Sequence, residues 1–284
     1  MAARQLVLPG DIVKKSNAII RARWPVESVW EPRIVALVAS KVRAEDTDFQ
    51  EYEIPISEFI GSKDDGRTYE RLASAADNLL KKVITIEKGS GWAKSTIFSY
   101  CEYIPERGML HICFDPHMKP HFLQLKERFT EYNLMEFFVL PSTYSQRIFE
   151  ILKSWSDKSE IIISLQDLFD MLEVPESMKR YPDFRRFVLE KAHKDINKTS
   201  FYYEWEPVKQ GRSVVAIKFI FDRKAIEYAE RQKKNKDVPK RNKQFKLALA
   251  CSQKKKAAGG CERRDHQKEV CDICSQLKIM EVTQ

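Results

Sequence analysis

The stretch that decides the fold covers residues 179–198 and reads KRYPDFRRFVLEKAHKDINK. Pro182 suits the first turn of a helix, where its missing N–H costs nothing. Asp183 places a negative charge near the positive end of the helix dipole. Apolar residues recur at helical spacing at Phe184, Phe187, Val188, Ala192 and Ile196. The pattern predicts an amphipathic helix whose opposite, wet face carries Arg186, Glu190, His193, Lys194 and Asn197.

Two extended segments follow this helix. Residues 201–206 and 213–221 flank Gly211, which predicts a β-hairpin. A basic helix followed by a hairpin is typical of a winged helix, in which the helix enters the major groove of DNA and the hairpin lies beside the backbone. An ordinary amphipathic helix with a solvated charged face would give the same local pattern, so this segment alone leaves both interpretations open.

The same order of elements occurs earlier in the chain. A basic amphipathic helix is predicted over residues 67–82, and Ile56 and Ser57 precede it as Ile163 and Ser164 precede the later helix. Two copies of one arrangement predict an α+β chain with two tandem winged-helix domains and favour DNA binding. The predicted division is an N-terminal domain at 1–125, a main DNA-reading domain at 126–224, and a basic, Cys-rich C-terminal extension at 225–284.

Other elements are predicted from local signals. Residues 84–86 and the turn at 89–91 give the first domain a hairpin, whose wing cations are Lys88 and Lys94. Residues 116–128 are predicted to be helical. Ser164 and Asp167 form the pattern of a capping box at the start of a short helix. Cys101 and Cys113 lie in apolar, strand-like contexts and are predicted to be buried thiols.

Composition places the chain among globular proteins with a polar surface. It has 284 residues, 43% hydrophobic and 32% charged, and a net charge of +8. Residues 231–256 carry a local net charge of +10, which leaves −2 on the rest, so any nucleic-acid surface on the body must be a local patch. We expect no membrane span and, because the apolar start is too short for a signal peptide, residence in the cytoplasm.

The sequence lacks the motifs of the enzymes that act beside DNA. It has no phosphate-binding loop for ATP and no nucleophile elbow. A rolling-circle nickase needs a His-apolar-His metal pair, but Cys113 takes the second position after His111. His117 and His121 lack an evident acidic partner. We therefore expect a protein that is not an enzyme and has no catalytic residues.

Several short motifs, taken in order and spacing, resemble those of the iteron-binding plasmid replication initiators, the Rep family with members of the F-plasmid type. The resemblance covers about residues 11–223, most of the chain. The motifs are KSNA at 15–18, TYERL at 68–72, FTEY at 129–132, LPSTY at 140–144, RIFEIL at 147–152, YPDFRR at 181–186 and DIN at 195–197.

The resemblance implies two winged-helix domains, of which the second reads direct repeats at a plasmid origin in double-stranded DNA. The first would add DNA contacts in the monomer and form the interface of the homodimer. Monomers would open the origin, dimers would repress their own promoter, and the host replication initiator and helicase would be recruited. The alternative with the same fold is a transcriptional repressor without initiator activity. A third class is an interaction protein whose basic faces contact acidic proteins.

The resemblance also matches Arg180 and Arg186 to positions that contact DNA in the family. Arginine can hydrogen-bond guanine O6 and N7 together, whereas lysines more often hold phosphate and position the protein. Arg185 falls nearer the apolar face, although its place in the first turn lets it reach phosphate. The remaining predicted DNA contacts are Lys179, Lys191, Lys194 and Lys198 on the second helix, Arg67, Arg71, Asn78, Lys81 and Lys82 on the first, and Lys209 and Arg212 on the second hairpin.

The C-terminal extension departs from the family pattern. Its basic run at 231–256 would add salt-sensitive, non-specific DNA affinity, or would serve only as a solubilising tail. Beyond it, Cys261, His266, Cys271 and Cys274 have a spacing that can supply four tetrahedral zinc ligands. Cys251 can substitute for one of them. The alternative interpretation is that these cysteines are free thiols. We therefore expect no required cofactor, and a structural zinc remains one of the two interpretations of this segment.

Overall fold

The computed structural model describes residues 12–56 and 67–221, with backbone only at residues 67 and 68. The extension at 225–284 lies outside these residues. No helix among them is both long and apolar enough to cross a bilayer.

The first repeat runs from β1 to β6. Its elements are β1 (Ile12–Ser16), α1 (Asn17–Ile20), α2 (Trp30–Lys41), β2 (Tyr52–Pro55), α3 (Arg67–Lys81), β3 (Ile84–Lys88), β4 (Gly91–Ser95), β5 (Phe98–Ile104) and β6 (Met109–Phe114).

The second repeat runs from β7 to β10, after the short α4 (Lys119–Phe122). Its elements are β7 (Phe129–Asn133), α5 (Leu134–Phe138), α6 (Thr143–Lys153), β8 (Glu160–Ser164), α7 (Leu165–Met171), α8, β9 (Glu204–Gln210) and β10 (Ser213–Ile220). We use α8 for three consecutive helical segments, Tyr181–Phe184, Arg185–Leu189 and Glu190–Ile196.

Sheet topology confirms the predicted repeat. The first repeat has a sheet of order β2-β6-β5, and the second has β8-β10-β9. In both, the strand before the basic helix pairs with the last strand of the following hairpin, as a winged helix requires. Ser164 caps α7 as predicted, because its Oγ accepts a hydrogen bond from the Asp167 N–H at 3.0 Å. The Asp167 carboxylate accepts from the Ser164 hydroxyl at 2.7 Å.

The hairpin that follows α3 differs from the prediction. β3 and β4 form a separate two-stranded sheet, and the strands equivalent to the later wing are β5 and β6. Lys88 and Lys94 therefore lie on an inserted hairpin and not on the wing of the first repeat. Local alternation identifies a strand, but it does not show which strand will be the partner.

The helix predicted over residues 116–128 is wrong. The chain forms a short 3-10 turn at Pro116–Met118 and then α4, which ends at Phe122. Gln124 and Arg128 adopt positive φ angles of 48° and 53°, a region that a right-handed helix cannot accommodate. Residue 129 then begins β7.

The two repeats share a sheet that the sequence did not reveal. Each repeat opens with a strand and a short helix capped by a polar residue, Ser16 on α1 and Asn133 on α5. The two leading strands pair antiparallel, with Lys14 opposite Glu131. Each repeat therefore supplies one strand of a common two-stranded sheet, and the hydrogen bonds between β1 and β7 connect the two repeats.

A buried ionic cluster reinforces this junction. Lys15 Nζ on β1 lies 2.6 Å from Glu150 Oε1 on α6, and Arg147 Nη1 lies 3.2 Å from Glu150 Oε2. The side chains of all three are at most 3% exposed. Burial opposes the charge of Glu150, but Lys15 and Arg147, with a hydrogen bond from Tyr132, hold its pKa below the ordinary value. Arg147 also donates to the carbonyls of Ile20 and Ala22.

The thiols of Cys101 and Cys113 are half-buried, whereas full burial was predicted. Burial raises the pKa of Cys101 to about 11, and the pKa of Cys113 is raised by burial and by the nearby charges of Glu51 and Asp48. Both are therefore weak nucleophiles at neutral pH.

Candidate nucleic-acid interface

Helix α8 is anchored by one face against the second repeat. Phe184, Val188, Leu189, Ala192 and Ile196 are each at most 1% exposed. Phe184 packs edge-on against Phe169 of α7, with ring centroids 5.0 Å apart. Asp195 accepts a hydrogen bond of 2.8 Å from Ser145 Oγ on α6. This packing fixes which side of α8 faces outward.

The middle of α8 is a π-helical turn. The Glu190 N–H bonds the carbonyl of Arg185, five residues earlier. Such a turn holds one residue more than an α-helical turn, so both Phe184 and Leu189 reach the core while residues 185–187 face outward. Arg185 is exposed and paired with Glu190 at 2.8 Å, and Phe187 is 48% exposed. The prediction that Phe187 shares the apolar face with Phe184 and Val188 is wrong, because its side chain lies on the exposed side of the helix.

The outward face of α8 presents cations to solvent. Arg186, Lys191 and Lys194 are exposed, and within the described residues none has a carboxylate at ion-pair distance. Arg180 lies 3.9 Å from Asp183, and Lys198 lies 3.6 Å from Asp195. Lys179 is half-buried and paired with Glu176. The predicted cations of this helix thus share one surface, although several have intramolecular partners.

The wing is held next to α8 by specific hydrogen bonds. Asn197 bonds both the N–H and the carbonyl of Tyr203, at 3.3 and 3.2 Å, and His193 Nε2 lies 3.1 Å from the same carbonyl. The helical pattern predicted that His193 and Asn197 lie on a solvated face, but both are half-buried and hydrogen-bonded to Tyr203. At the hairpin tip Gly211 adopts a φ of 61°, which suits a tight two-residue turn. Lys209 and Arg212 are exposed beside it.

Helix α3 uses its polar residues differently. Lys82, just after the helix, lies 3.0 Å from Glu31 Oε2, and Asn78 donates to Glu31 Oε1 at 3.2 Å. Glu31 belongs to α2 and its side chain is fully buried. Lys81 is exposed but paired with Asp77. Arg71 is half-buried and already has an intramolecular partner. The side chain of Arg67 is outside the described part of the structure.

Within residues 12–56 and 67–221, one cluster has the composition of a metal site. Ligand atoms of Glu51, Glu102 and His111 lie within 4.8 Å of one another on the outer face of the β2-β6-β5 sheet. His111 Nδ1 already lies 3.3 Å from Glu51 Oε1, and Tyr100 donates to Glu102, so these contacts account for the arrangement. The predicted zinc ligands Cys261, His266, Cys271 and Cys274 lie outside the described residues.

Phe187 is the surface residue that sequence analysis missed. The one available signal was the pair of adjacent apolar residues Val188 and Leu189, which a regular helix cannot turn equally toward the core.

Comparison with known proteins matches both repeats to one family. Residues 12–153 match the family described as Initiator Replication protein, WH1, and residues 164–221 match Initiator Rep protein, WH2. These bounds differ from the predicted domain division over residues 126–153, the segment whose leading strand pairs with β1.

Among solved structures, the chain is similar to the Pi initiator protein, crystallised in complex with iteron DNA. The two are 17% identical with a TM-score of 0.61, over 76% of this chain and 100% of that chain. At this identity the similarity establishes the fold. Taken with the family matches, it confirms the predicted fold and resemblance, and the chain belongs to the family of initiator replication proteins, which carry two winged-helix domains and are not enzymes.

Proposed function

We propose that this chain is a sequence-specific DNA-binding initiator of plasmid replication, acting in the bacterial cytoplasm on direct repeats at the origin. The observation that carries the proposal is the set of exposed cations on α8 and on the adjacent hairpin tip, which carry no ion pair within the described residues: Arg186, Lys191, Lys194, Lys209 and Arg212. A helix and hairpin that present cations side by side fit a major groove and its flanking phosphates. Family membership and the similarity to an initiator solved with iteron DNA support the same conclusion.

The residues of α8 divide into two roles. Arg186 is the best candidate for reading guanine, since its guanidinium is exposed and has no competing carboxylate in the described structure. Phosphates would be held by two lysines of α8, Lys191 and Lys194, and by two cations of the hairpin tip, Lys209 and Arg212. Arg180, Arg185, Lys179 and Lys198 would first have to exchange their intramolecular carboxylate partners for phosphate, so we give them a secondary part.

The first repeat would contribute fewer contacts. Asn78 and Lys82 are engaged with Glu31, and we leave them out of the proposed interface. On α3, the remaining candidates for contacts with the DNA phosphates are Arg67, Arg71 and Lys81. Such contacts would add affinity that is independent of sequence and falls with salt.

Footprinting on the DNA that flanks the chain's own gene tests the proposal. We expect protection of a repeated sequence, and tighter binding to that repeat than to a random duplex at about 0.15 M salt. Equal affinity for both duplexes would refute sequence-specific binding. Transformation of a host with the gene and its adjacent repeats, on a circle without another origin, separates an initiator from a repressor, because only an initiator maintains the circle.

We also propose that the chain exchanges between monomer and homodimer, that the dimer represses the promoter of its own gene, and that the protein recruits the host replication initiator and helicase. These roles rest on the family resemblance. Sedimentation as a function of concentration tests the exchange, and a reporter fused to the promoter tests repression. A sedimentation coefficient independent of concentration, with an unrepressed reporter, would contradict the dimer roles.

A structural zinc in the C-terminal extension stays a prediction. Cys261, His266, Cys271 and Cys274 would form a closed tetrahedral site without an open position for catalysis. Elemental analysis of reduced, metal-replete protein should find about one zinc per chain, and Cys271→Ser with Cys274→Ser should remove it. The absence of zinc from the unmodified protein would leave the free-thiol interpretation.

A further inference from the structure

Phe187 is the exposed apolar residue on α8 that the proposed cation contacts do not use. Its side chain is 48% exposed, whereas Phe184 in the preceding turn is fully buried. Exposing a large aromatic side chain forgoes the free energy of its burial. Phe187 lies in the π-helical turn at residues 185–189, where Arg185 and Arg186 are exposed beside it. Turns of this kind are frequent at functional sites.

The surroundings of Phe187 identify the chemistry of its ligand. The Arg186 guanidinium carbon lies 5.2 Å from the centroid of the Phe187 ring. Lys191 and Lys194, four and seven residues further along, are exposed on the same side. A phenyl ring cannot hold phosphate, yet it lies among groups that can. The ligand must therefore present an apolar group on an otherwise polyanionic surface.

In duplex DNA the major groove offers one such group, the C5-methyl of thymine. We propose that Phe187 determines sequence specificity by packing against thymine methyl groups in the groove that α8 enters. This proposal rests on the proposed function and adds to it the base that an apolar side chain reads. Arg186 and Phe187 are then adjacent readers, one for guanine by hydrogen bonds and one for thymine by contact.

A protein partner fits the same surface less well. Docking sites for proteins are contiguous apolar patches rimmed by polar residues, whereas the exposed helical neighbours of Phe187 are the charged residues Arg186, Glu190 and Lys191. Fully buried interface centres are depleted of charged residues, which this face is not.

Replacement of thymine by deoxyuridine tests the proposal because it removes only the C5-methyl. The probes are repeat duplexes from the footprint in which each thymine, on either strand, is replaced singly. The full chain should bind one or two of these duplexes about fourfold more weakly, the change expected for one buried methyl-sized group. The Phe187→Ala variant should bind the thymine duplex and the sensitive uracil duplexes with equal affinity. That affinity should be close to the affinity of the unmodified protein for the uracil duplexes.

Matched variants separate this reading from a general loss of binding. Ile162→Ala truncates another exposed apolar side chain, 61% exposed on β8, and should keep the full uracil sensitivity. Phe187→Gln should behave as Phe187→Ala does, which covers the case in which alanine disturbs the π turn. Thermal unfolding should be nearly unchanged in both Phe187 variants, since half of the side chain is already in solvent.

Two results overturn the inference. One is wild-type binding that is indifferent to uracil at every position, and the other is a uracil effect that persists undiminished in both Phe187 variants. In either case the protein would still prefer its repeat over random DNA, and the proposed function would stand. Loss of that preference in the unmodified protein would instead refute the proposed function, and this inference with it.

Discussion

Helices α3 and α8 occupy the same place in two repeats of one topology, yet they use their charges in opposite ways. The polar contact between α2 and α3 places the acid, Glu31, on α2 and its partners Asn78 and Lys82 at the end of α3. The corresponding contact of α8 places the acid, Asp195, on α8 itself and a neutral partner, Ser145, on α6. Lys198 pairs with Asp195, but Arg186, Lys191 and Lys194 of α8 have no ion pair within the described residues and remain available to other ligands. The comparison teaches that a basic helical face indicates a DNA contact only if no buried carboxylate stands opposite it.

The largest expected effect is on the stability of the first repeat. Lys82→Met would leave the buried Glu31 carboxylate without its cation, and breaking a buried pair in this way costs about 3 kcal/mol. Urea denaturation should show this loss. Lys81→Met, on the exposed pair with Asp77, should change the free energy of unfolding by less than about 0.5 kcal/mol. Equal losses of unfolding free energy in the two variants would show that the ion pair between Lys82 and Glu31 does not stabilise the fold.

Arg186→Ala should have the largest effect on recognition. Loss of a bidentate guanine contact costs about 1–3 kcal/mol of discrimination, so affinity for the repeat should fall by about 5- to 150-fold while affinity for random DNA changes little. The free energy of unfolding should remain within about 0.5 kcal/mol, as for other surface substitutions. A proportional loss on both kinds of DNA would make Arg186 a phosphate contact and would weaken the contrast with α3.

The lysines of α8 should affect salt dependence more than specificity. Lys191→Ala with Lys194→Ala removes two proposed phosphate contacts, so the slope of log affinity against log salt should become shallower by about two units. Lys82→Met, assayed under conditions where it is folded, should leave the slope unchanged. A slope that responds equally to both variants would show that α3 and α8 contact phosphates alike.

The smallest expected effect is a difference in acid sensitivity. His121 is buried against β1, where its Nδ1 lies 2.7 Å from Ser16 Oγ, and burial together with the charge of Lys88 lowers its pKa below the ordinary value. The unfolded chain therefore takes up the proton first. The stabilisation is present above the unfolded pKa of about 6.5 and is lost as pH falls toward the folded pKa. Urea midpoints at about pH 7.5 and about pH 5.5 should converge in His121→Gln; an unchanged difference would assign the acid sensitivity to other groups.

Much of the fold could be predicted because it depends on local patterns. The helices, the N-cap at Ser164 and the hairpin at Gly211 follow from side-chain spacing and turn chemistry within a few residues. The repeat followed from finding that order twice, and the resemblance named the family. The predicted helix at 116–128 failed because apolar spacing does not detect the backbone reversals at Gln124 and Arg128.

The candidate site was predicted only in part. Sequence alone determined that α8 is amphipathic, that Arg186 and Lys194 are on its polar side, and that a hairpin follows it. Only the tertiary structure decided that Lys82 is bound to Glu31, that β1 pairs with β7, and that Phe187 is exposed. The physical reason is that periodicity reports which side of an element a residue occupies. Whether that residue is free to bind depends on the groups that distant parts of the chain place against it.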